Sequence, residues 1–444
     1  MVKSRIVCLS LVVVLLVSLL PLAIPPQPGA AQAPASLEPE LVSQLQAEGS
    51  ANYFVQMESE ADLSPAEGMD WDARGEFVWN ALNEVARTTQ APVLDYCQKN
   101  GLDCTSMIVT NSVFVRTGNM TTAQALAALP GVAYLHLERI FPLPDPVAGG
   151  AGINGFLSQG AAPEATIDWG ITDTQADHVW ALGYKGAGIK VAGIDTGVQW
   201  NHPALVGHFA CPGDPSNAKC WSDPSNICGG SACDNNGHGT HTMGTMVADD
   251  DDALTYIAGM APDATWIACK GCENNECSEF ALTSCAGWIL APDGNPANRP
   301  HIVNNSWGGG SGDDWYLTSV QAWRAAGIFP AFSAGNTGPL CNTLSSPGDY
   351  QESLASAAHG SGRGIASFSS RGPSSFGHAP YTKPNISAPG VSICSTVPTS
   401  SWTCDYSGTS MASPHTAGAV ALIWQACLTL KGNIDATFNR KSVV

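Results

Sequence analysis

The chain has 444 residues, of which 44% are hydrophobic and 13% are charged, so it can form two or three packed domains and is not wholly disordered. Its 38 acidic and 19 basic residues give a formal net charge of −19. Because a phosphate-binding surface needs clustered Lys and Arg, this balance argues against nucleic acid as a partner. The 15 cysteines indicate an oxidising compartment.

The N-terminus has the pattern of a secretory signal peptide. Two basic residues precede an apolar run over residues 6–24, and small residues around Ala31 follow it. An uncleaved membrane anchor is the alternative, since the run is nearly long enough to span a bilayer. Pro21 inside the run favours cleavage, which we place after Ala31. Residues 1–31 are therefore the predicted signal peptide, and we expect a secreted protein without stable membrane association.

A small ferredoxin-like α+β domain is predicted over residues 51–140. Residues 32–50, rich in Ala, Pro and Gln, precede it as a flexible leader. The expected β-α-β-β-α-β order comprises a strand at Asn52–Met57, a helix at Arg74–Lys99, a strand–turn–strand unit at Ser106–Arg116, a helix at Thr121–Leu129 and a strand at Ala133–Glu138. Residues 141–164, rich in Pro and Gly, are predicted to be an exposed linker.

Strands and helices alternate in the remaining residues, 165–444. Short apolar runs typical of buried strands occur at Ile189–Ile194, Trp266–Cys269, His301–Asn305, Ile328–Ala334 and Val391–Ser395. Helical stretches occur at Ser278–Leu290, Asp314–Ala326 and Ser410–Cys427. This alternation predicts an α/β domain whose parallel sheet is covered by helices on both faces. In such sheets the functional groups gather where strands end and helices begin.

Three segments of this domain carry residues suited to nucleophilic catalysis. Asp195 ends a buried strand in the sequence AGIDTG, and His238 begins a helix in NGHGTHTMGT. Ser410 opens an apolar helix in GTSMASPH, where free N–H groups stabilise negative charge. Each residue alone has an ordinary interpretation: a turn-capping Asp, a metal pair of His238 with His241, or an N-cap Ser.

Together, these three motifs in this chain order resemble the subtilisin-like serine peptidases over about residues 165–430. The resemblance implies a secreted endopeptidase that cuts proteins or peptides through an acyl-enzyme, without a cofactor for the chemistry. It implies that Asp195 orients His238, that His238 is the general base and then the acid, and that Ser410 is the nucleophile. His241 and His415 fall inside the motifs and are expected to be structural.

Two further segments resemble the family's substrate-binding elements. The sequence FSAGN resembles the oxyanion-hole segment, which implies that Asn336 and the Ser410 backbone N–H stabilise the oxyanion, each such donor contributing roughly 3–4 kcal/mol. The sequence NSWGG resembles the strand that pairs with substrate. The implied substrate-binding residues are Ser306, Trp307, Gly308, Ser333, Ala334 and Gly335. Trp307 is bulkier than the usual aliphatic residue, and a core position is an equal alternative.

The 51–140 segment resembles the inhibitor-type propeptides that precede such enzymes, on the order of its elements. The resemblance implies a monomeric zymogen whose propeptide assists folding and blocks the cleft until the linker is cut. An accessory domain is the alternative. A folding aid is physically reasonable, because parallel sheets depend on non-local contacts and fold slowly.

The cysteines outside the signal peptide are expected to form disulfides. We expect Cys97 to pair with Cys104, and Cys394 with Cys404. Two clusters of cysteines are interpreted as loops closed by disulfides, and Cys341 and Cys427 are expected to be further partners. The first cluster is Cys211, Cys220, Cys228 and Cys233, and the second is Cys269, Cys272, Cys277 and Cys285. A zinc site in the second cluster is the alternative. The insert after Cys269, with the sequence GPLC after Asn336, resembles the bacillopeptidase F-like branch.

Two segments fit the family pattern less well. The run Asp249–Asp252 offers oxygen ligands for a structural calcium, which is common in the family, but its spacing favours a solvated acidic loop. We predict no metal in the active site. Residues 431–444 lack a helical apolar stripe, so we expect a weaker fold there with the catalytic residues untouched.

Overall fold

The computed structural model describes residues 35–143, 146–148, 166–249, 256–377 and 380–431. The predicted signal peptide, most of the linker, most of the acidic run and the tail after residue 431 lie outside these ranges. Within them, we find no helix with the length and apolar character that crossing a membrane requires.

The N-terminal domain is a five-stranded sheet in the order β1-β5-β2-β4-β3, packed against helices. Its elements are β1 Ser36–Leu37, α1 Pro39–Glu48, β2 Ala51–Met57, a 3₁₀ turn at Ser64–Ala66, α2 Trp71–Thr89, α3 Ala91–Asn100, β3 Asp103–Met107, β4 Ser112–Gly118, α4 Met120–Ala127 and β5 Val132–Leu137. The predicted β-α-β-β-α-β order is present, with one helix divided and β1 and α1 added before it.

Two predictions for this domain are wrong in detail. The leader predicted to be flexible contains α1, because Leu41 and Leu45 pack into the core of the domain. The single helix predicted over Arg74–Lys99 is two helices that meet at Gln90. Pro92 lies in the first turn of α3, where its missing N–H removes no helical hydrogen bond.

The second domain contains the predicted parallel sheet, with seven strands in the order β10-β12-β9-β15-β16-β17-β18. The elements after the N-terminal domain are β6 Ile140–Pro142, β7 Val147–Ala148, β8 Thr166–Ile167, α5 Trp169–Thr174, α6 Ala176–Ala181, β9 Lys190–Asp195, α7 Pro203–Val206, β10 Trp221–Ser222, α8 His238–Val247, β11 Tyr256–Ile257, β12 Thr265–Lys270, β13 Cys272–Glu273, β14 Glu276–Ser278, α9 Glu279–Leu290, 3₁₀ turns at Pro292–Gly294 and Pro296–Asn298, β15 Ile302–Asn305, α10 Leu317–Ala325, β16 Phe329–Ser333, β17 Leu354–His359, β18 Ile386–Pro389, β19 Ile393–Val397, β20 Ser401–Ser407 and α11 Thr409–Lys431.

The sheet departs from the prediction at one end. The run Val391–Ser395 was expected to join it, but β19 pairs antiparallel with β20 instead. The sheet is completed by β17 and β18, which the hydrophobic pattern does not reveal. β17 reads LASAAH, and its small side chains allow α11 to pack closely, with the hydroxyls of Ser356 and Thr416 2.8 Å apart.

The N-terminal sheet packs on the start of α9. Phe54, Phe114 and Phe280 form a shared aromatic cluster between the two domains. Beside it, His136 Nε2 lies 3.0 Å from Glu279 Oε1 in a buried pair. The N-terminal domain is therefore docked on the second domain through both apolar and polar contacts.

Six disulfides stabilise the described part of the chain: Cys97–Cys104, Cys211–Cys220, Cys228–Cys233, Cys269–Cys285, Cys272–Cys277 and Cys394–Cys404. The predicted disulfides are thus present, and the second cluster forms bridges where zinc was the alternative. The prediction that Cys341 and Cys427 are further partners is wrong, because neither is bonded to a described cysteine.

Candidate active site

The three predicted catalytic residues lie near the carboxyl ends of the parallel strands. Asp195 is the last residue of β9, His238 is the first residue of α8, and Ser410 is the second residue of α11. Gly237 precedes His238 with a φ of 106°, a conformation that favours glycine and turns the chain into the helix. The site therefore forms where a buried strand and two helix N-termini meet.

Asp195 fixes the orientation of the His238 ring. His238 Nδ1 lies 2.8 Å from Asp195 Oδ1, and the Thr196 backbone N–H donates to the same oxygen at 2.8 Å. The Thr242 hydroxyl donates to Oδ2 at 3.3 Å. An ionised carboxylate can only accept hydrogen bonds, so the contact with Asp195 places the proton of a neutral His238 ring on Nδ1. Nε2 then carries a free lone pair, and it has no hydrogen-bond partner among the described residues.

The charge around His238 decides its protonation. Burial alone would lower the pKa of His238, but the negative charge and hydrogen bond of Asp195, together with the charge of Asp234, raise that pKa above its ordinary value of 6.5. The positive form that arises when His238 accepts a proton is therefore stabilised. This is the property that a general base beside a weak nucleophile requires.

Ser410 is held by the end of β15 rather than by His238. Its Oγ donates to the Ser306 carbonyl at 3.1 Å, and the Ser306 hydroxyl donates to the Ser410 carbonyl at 2.8 Å. No hydrogen bond between Ser410 and His238 is present within the described ranges. Catalytic hydrogen bonds often shorten only when substrate is bound. For His238 to take the Ser410 proton, Oγ must exchange its hydrogen bond to the Ser306 carbonyl for one to Nε2.

Asn336 is oriented by the residue before Ser410. Asn336 Oδ1 accepts hydrogen bonds from the Thr409 backbone N–H and hydroxyl, both at 2.9 Å. The amide nitrogen lies close to Gly408, 3.4 Å from the position that a Cβ there would take. The side-chain N–H₂ group is thus held beside the start of α11, where it can donate to an anion next to Ser410.

The six predicted substrate-binding residues follow β15 or lie at the end of β16. These two segments are in contact, because the Ser333 hydroxyl donates to the Trp307 carbonyl at 3.4 Å. The Trp307 side chain is buried in the core, and its indole N–H donates to the Ile194 carbonyl at 3.0 Å. The Trp307 side chain therefore takes the core position that was the alternative to substrate binding. Contact of Trp307 with a substrate would therefore use its backbone.

The chain between the two domains runs along this site. β6 pairs antiparallel with β14, and the Leu143 N–H donates to the Asn275 carbonyl at 2.7 Å. Phe141 is buried and stacks on Trp315 with ring centres 4.5 Å apart. β7 pairs with β20 immediately before Ser410. The prediction of an exposed linker is therefore wrong for these residues, which satisfy their backbone groups by strand pairing.

Asp234 and Lys270 are two site residues that the sequence reasoning missed. Asp234 accepts hydrogen bonds from the N–H groups of Gly237 and Thr240, both at 2.8 Å, and so caps the start of α8. The buried Lys270 ammonium donates to the Thr196 carbonyl at 2.6 Å. An Asp just before a helix-opening Gly-His is a capping signal that could have identified the first of them. Lys270 has no local signal, because its contacts are long-range.

His241 and His415 are buried, and neither forms a hydrogen bond with a carboxylate of the described residues. His241 Nε2 lies 3.1 Å from the Ile393 carbonyl, and His415 Nδ1 lies 2.8 Å from the Met411 carbonyl. Burial is the main cause that lowers the pKa of His241 to about 3 and that of His415 to about 4. Within the described residues, no group of three or more His, Cys, Asp or Glu side chains could hold a metal ion.

Comparisons with known proteins agree with this geometry. A family model described as the subtilase family matches residues 186–433. Bacillopeptidase F of Bacillus subtilis is 43% identical over 282 residues, which are 60% of this chain and 19% of that protein. Subtilisin DY of Bacillus licheniformis is 36% identical over 272 residues, covering 60% of this chain and 88% of that protein. Subtilisin E of Bacillus subtilis is 32% identical over 261 residues, covering 58% of this chain and 61% of that protein.

Proposed function

This chain belongs to the subtilase family of serine peptidases, and from this premise we propose that the protein is a secreted endopeptidase, made as a zymogen that Ser410 itself processes. The family resemblance and the subtilisin-like fold expected from the sequence are thereby confirmed. The observation that carries the proposal is the buried Asp195–His238 pair at the carboxyl ends of the strands, the same end at which Ser410 opens α11 and contacts Ser306 after β15.

In the proposed reaction, His238 Nε2 takes the proton of Ser410 as Oγ attacks the scissile carbonyl carbon. Asp195 stabilises the imidazolium that forms. The carbonyl oxygen becomes an oxyanion, to which the Asn336 amide and the Ser410 backbone N–H donate. His238 then gives its proton to the leaving amine, which leaves an acyl-enzyme on Ser410. Water, activated by His238, hydrolyses the ester and restores the serine.

We further propose that substrates bind as an extended strand. An extended segment of this chain already lies here: β6 pairs antiparallel with β14, and its Phe141 side chain lies against Gly309, the residue after Ser306–Gly308, so we take this edge as the substrate-binding edge. A polypeptide added to this edge gains main-chain hydrogen bonds in any sequence, so the substrates would be proteins or peptides. The residues Ser333–Gly335 would line the pocket for the side chain before the cut. No cofactor takes part, as in subtilases generally.

The N-terminal domain is proposed to be the inhibitory propeptide. β6 pairs with β14, β7 pairs with the end of β20 just before Ser410, and the sequence between Leu143 and Val147 joins β6 to β7. Processing is therefore expected at one of these four peptide bonds. The predicted signal peptide and the six disulfides support secretion, because disulfides persist in oxidising compartments. The solvated acidic loop at Asp249–Asp252 stays a prediction, with calcium as its alternative, and so does the monomeric state.

A fluorophosphonate, which phosphonylates activated serines, tests the proposal. The folded protein, once the N-terminal domain has been removed, should carry one adduct on Ser410. Replacing His238 by Ala should abolish labelling, because the serine loses its base. Ser413→Ala is the matched control: this hydroxyl lies on the same helix, but it donates to Asn304 Oδ1 at 2.7 Å and has no proposed role in the reaction. A folded protein that is unlabelled at Ser410, or equally labelled without His238, would contradict the proposal.

A further inference from the structure

Helix α2 lies in the N-terminal domain by sequence, but Val78 and Leu82, two of its buried apolar residues, do not belong to the core of that domain. That core consists of the sheet with α1, α3 and α4. Val78 and Leu82 belong instead to the large apolar cluster of the catalytic domain, which also takes in Ala66 and Val109 of the N-terminal domain. The helix lies against α10 and the turn Pro296–Asn298. Thus α2 makes a contact with the catalytic domain that is separate from the contacts of the sheet.

Trp71, the first residue of α2, occupies an aromatic site on the catalytic domain. The Arg299 guanidinium carbon lies 4.1 Å from the centre of the Trp71 ring, and that ring stacks on His301 with ring centres 4.7 Å apart. Trp424 contacts the indole edge-on at 6.4 Å. A Cβ at Gly327 would lie 3.1 Å from the indole, so this glycine leaves the space that the ring fills. We name Arg299, His301, Gly327 and Trp424 the rear site.

Arginines on both sides complete this contact. The Arg299 guanidinium is 2% exposed and donates to the carbonyls of Trp71 and Ala326. From the other domain, Arg74 donates to the carbonyls of Ala325 and Arg324 at 2.8 and 3.1 Å. These carbonyls end α10, and the last carbonyls of a helix have no intrahelical partner. Each domain therefore satisfies backbone groups of the other.

The rear site is far from the cleft. Arg299 and His301 precede β15, whereas Ser306, at the opposite end of that strand, contacts Ser410. Ser410 and Trp424 lie 14 residues apart on α11, which is about 21 Å at the rise of an α-helix. Cutting the linker beside Ser410 thus leaves every contact of Trp71 and Arg74 intact.

We propose that the rear site is a second binding site for the N-terminal domain, with α2 as its ligand, and that it retains this domain after the linker is cut. The inference rests on the proposed function only in taking that domain to be the propeptide. Two sites engaged at once raise the effective concentration of each contact, so release of either alone is quickly reversed. Inhibition would therefore outlast processing until both contacts open.

The test uses the full chain with Ser410→Ala and a recognition site for an added protease placed within residues 151–164. After this protease has cut, size-exclusion chromatography and the rate of release from an immobilised catalytic domain report whether the N-terminal domain stays bound. No activity of the chain itself is needed, so failure of the proposed function would not affect the result. We expect retention, and release at least ten times faster with Trp71→Ala, because the indole fills the rear site.

Two variants separate docking from folding. Gly75→Ala should stabilise the isolated helix, since Ala has the higher helix propensity, yet its Cβ would lie 2.2 Å from Arg299 Cζ. It should therefore speed release without loosening the N-terminal domain. Tyr96→Ala is the control, because Tyr96 packs against the N-terminal core. Faster release with Trp71→Ala and Gly75→Ala but not with Tyr96→Ala supports the proposal. Release that is immediate without substitution, or unaffected by both α2 variants, overturns it.

Discussion

The carboxyl ends and the amino ends of the parallel strands, here called the carboxyl edge and the amino edge, each hold a histidine. His238 is buried, His301 is half-buried, and the charges around them are opposite in sign. At the carboxyl edge, burial lowers the pKa of His238, but the carboxylates of Asp195 and Asp234 raise it overall. At the amino edge, burial together with the cations Lys190 and Arg299 lowers the pKa of His301 to about 4. Burial acts in the same direction on both rings. The sign of the neighbouring charge therefore decides which histidine can accept a proton during a reaction.

The largest effect expected at the carboxyl edge follows removal of the nucleophile. Ser410→Ala should lower kcat for peptide hydrolysis by about 10⁶-fold, since the parts of such a site act as a unit. A chromogenic peptide assay measures this loss. Retention of the N-terminal domain at the rear site should be unchanged in the same protein. A variant that kept most of its activity would place the nucleophile elsewhere.

The next largest effect is expected for Asp195→Asn. This change keeps the shape but favours the wrong tautomer of His238, and it should lower kcat by about 10⁴-fold. KM should change little, because the buried carboxylate contacts His238 and has no proposed contact with substrate. The contrasting variant at the amino edge, His301→Gln, should leave kcat of the processed enzyme within about threefold, as expected for a residue outside the reaction. Equal losses of kcat in Asp195→Asn and His301→Gln would mean that the carboxyl and amino edges do not differ in their role in catalysis.

A smaller loss is expected for the oxyanion donor. Asn336→Leu should lower kcat by about 10²- to 10³-fold with little change in KM, because the hydrogen bond forms only with the oxyanion. Leu340→Ala, an exposed position on the same loop, is the control. A rise in KM with kcat unchanged would mean that Asn336 binds substrate in its ground state instead.

The pH dependence separates the two histidines. Activity should rise with pH as His238 loses its proton, with a midpoint above 6.5, because the pKa of His238 is raised. The raised pKa of His238 also stabilises the folded protein, but with the opposite pH dependence. This stabilisation is fully present below pH 6.5 and is lost as pH rises through the pKa of His238 in the folded state. The profile of kcat/KM for the processed enzyme measures the first effect. A midpoint well below 6.5 would contradict the charge arrangement described for the carboxyl edge.

A more gradual effect, on the pH dependence of stability, should come from the histidines that are neutral in the folded protein. Because the pKa of His301 is lowered to about 4, the unfolded chain binds its proton first, and stability is lost as pH falls from 6.5 toward 4. Each such group costs about 1.4 kcal/mol per pH unit in that window. Urea unfolding of the Ser410→Ala chain at several pH values measures this slope. His301→Gln should make it shallower, and an unchanged slope would be the contrary result.

The sequence predicts the carboxyl edge far better than the amino edge. Asp195, His238 and Ser410 stand in motifs whose small residues and helix starts are local features, so their placement follows from the chain order. Trp71 and Arg299 meet across 228 residues, and nothing near either one indicates the partner. The strand β17 was missed because its small residues carry no apolar pattern. The paired linker was missed because Pro and Gly suggest exposure, while Phe141 is buried by distant residues.

The most direct test of the account is the intact mass of the secreted protein, wild type beside Ser410→Ala. Self-processing by Ser410 predicts that the wild-type chain is cut between Leu143 and Val147 and that the variant stays whole after loss of its signal peptide. Cleavage of both chains at the same bond would assign processing to another protease. Two whole chains would contradict the claim that this site is an active serine endopeptidase.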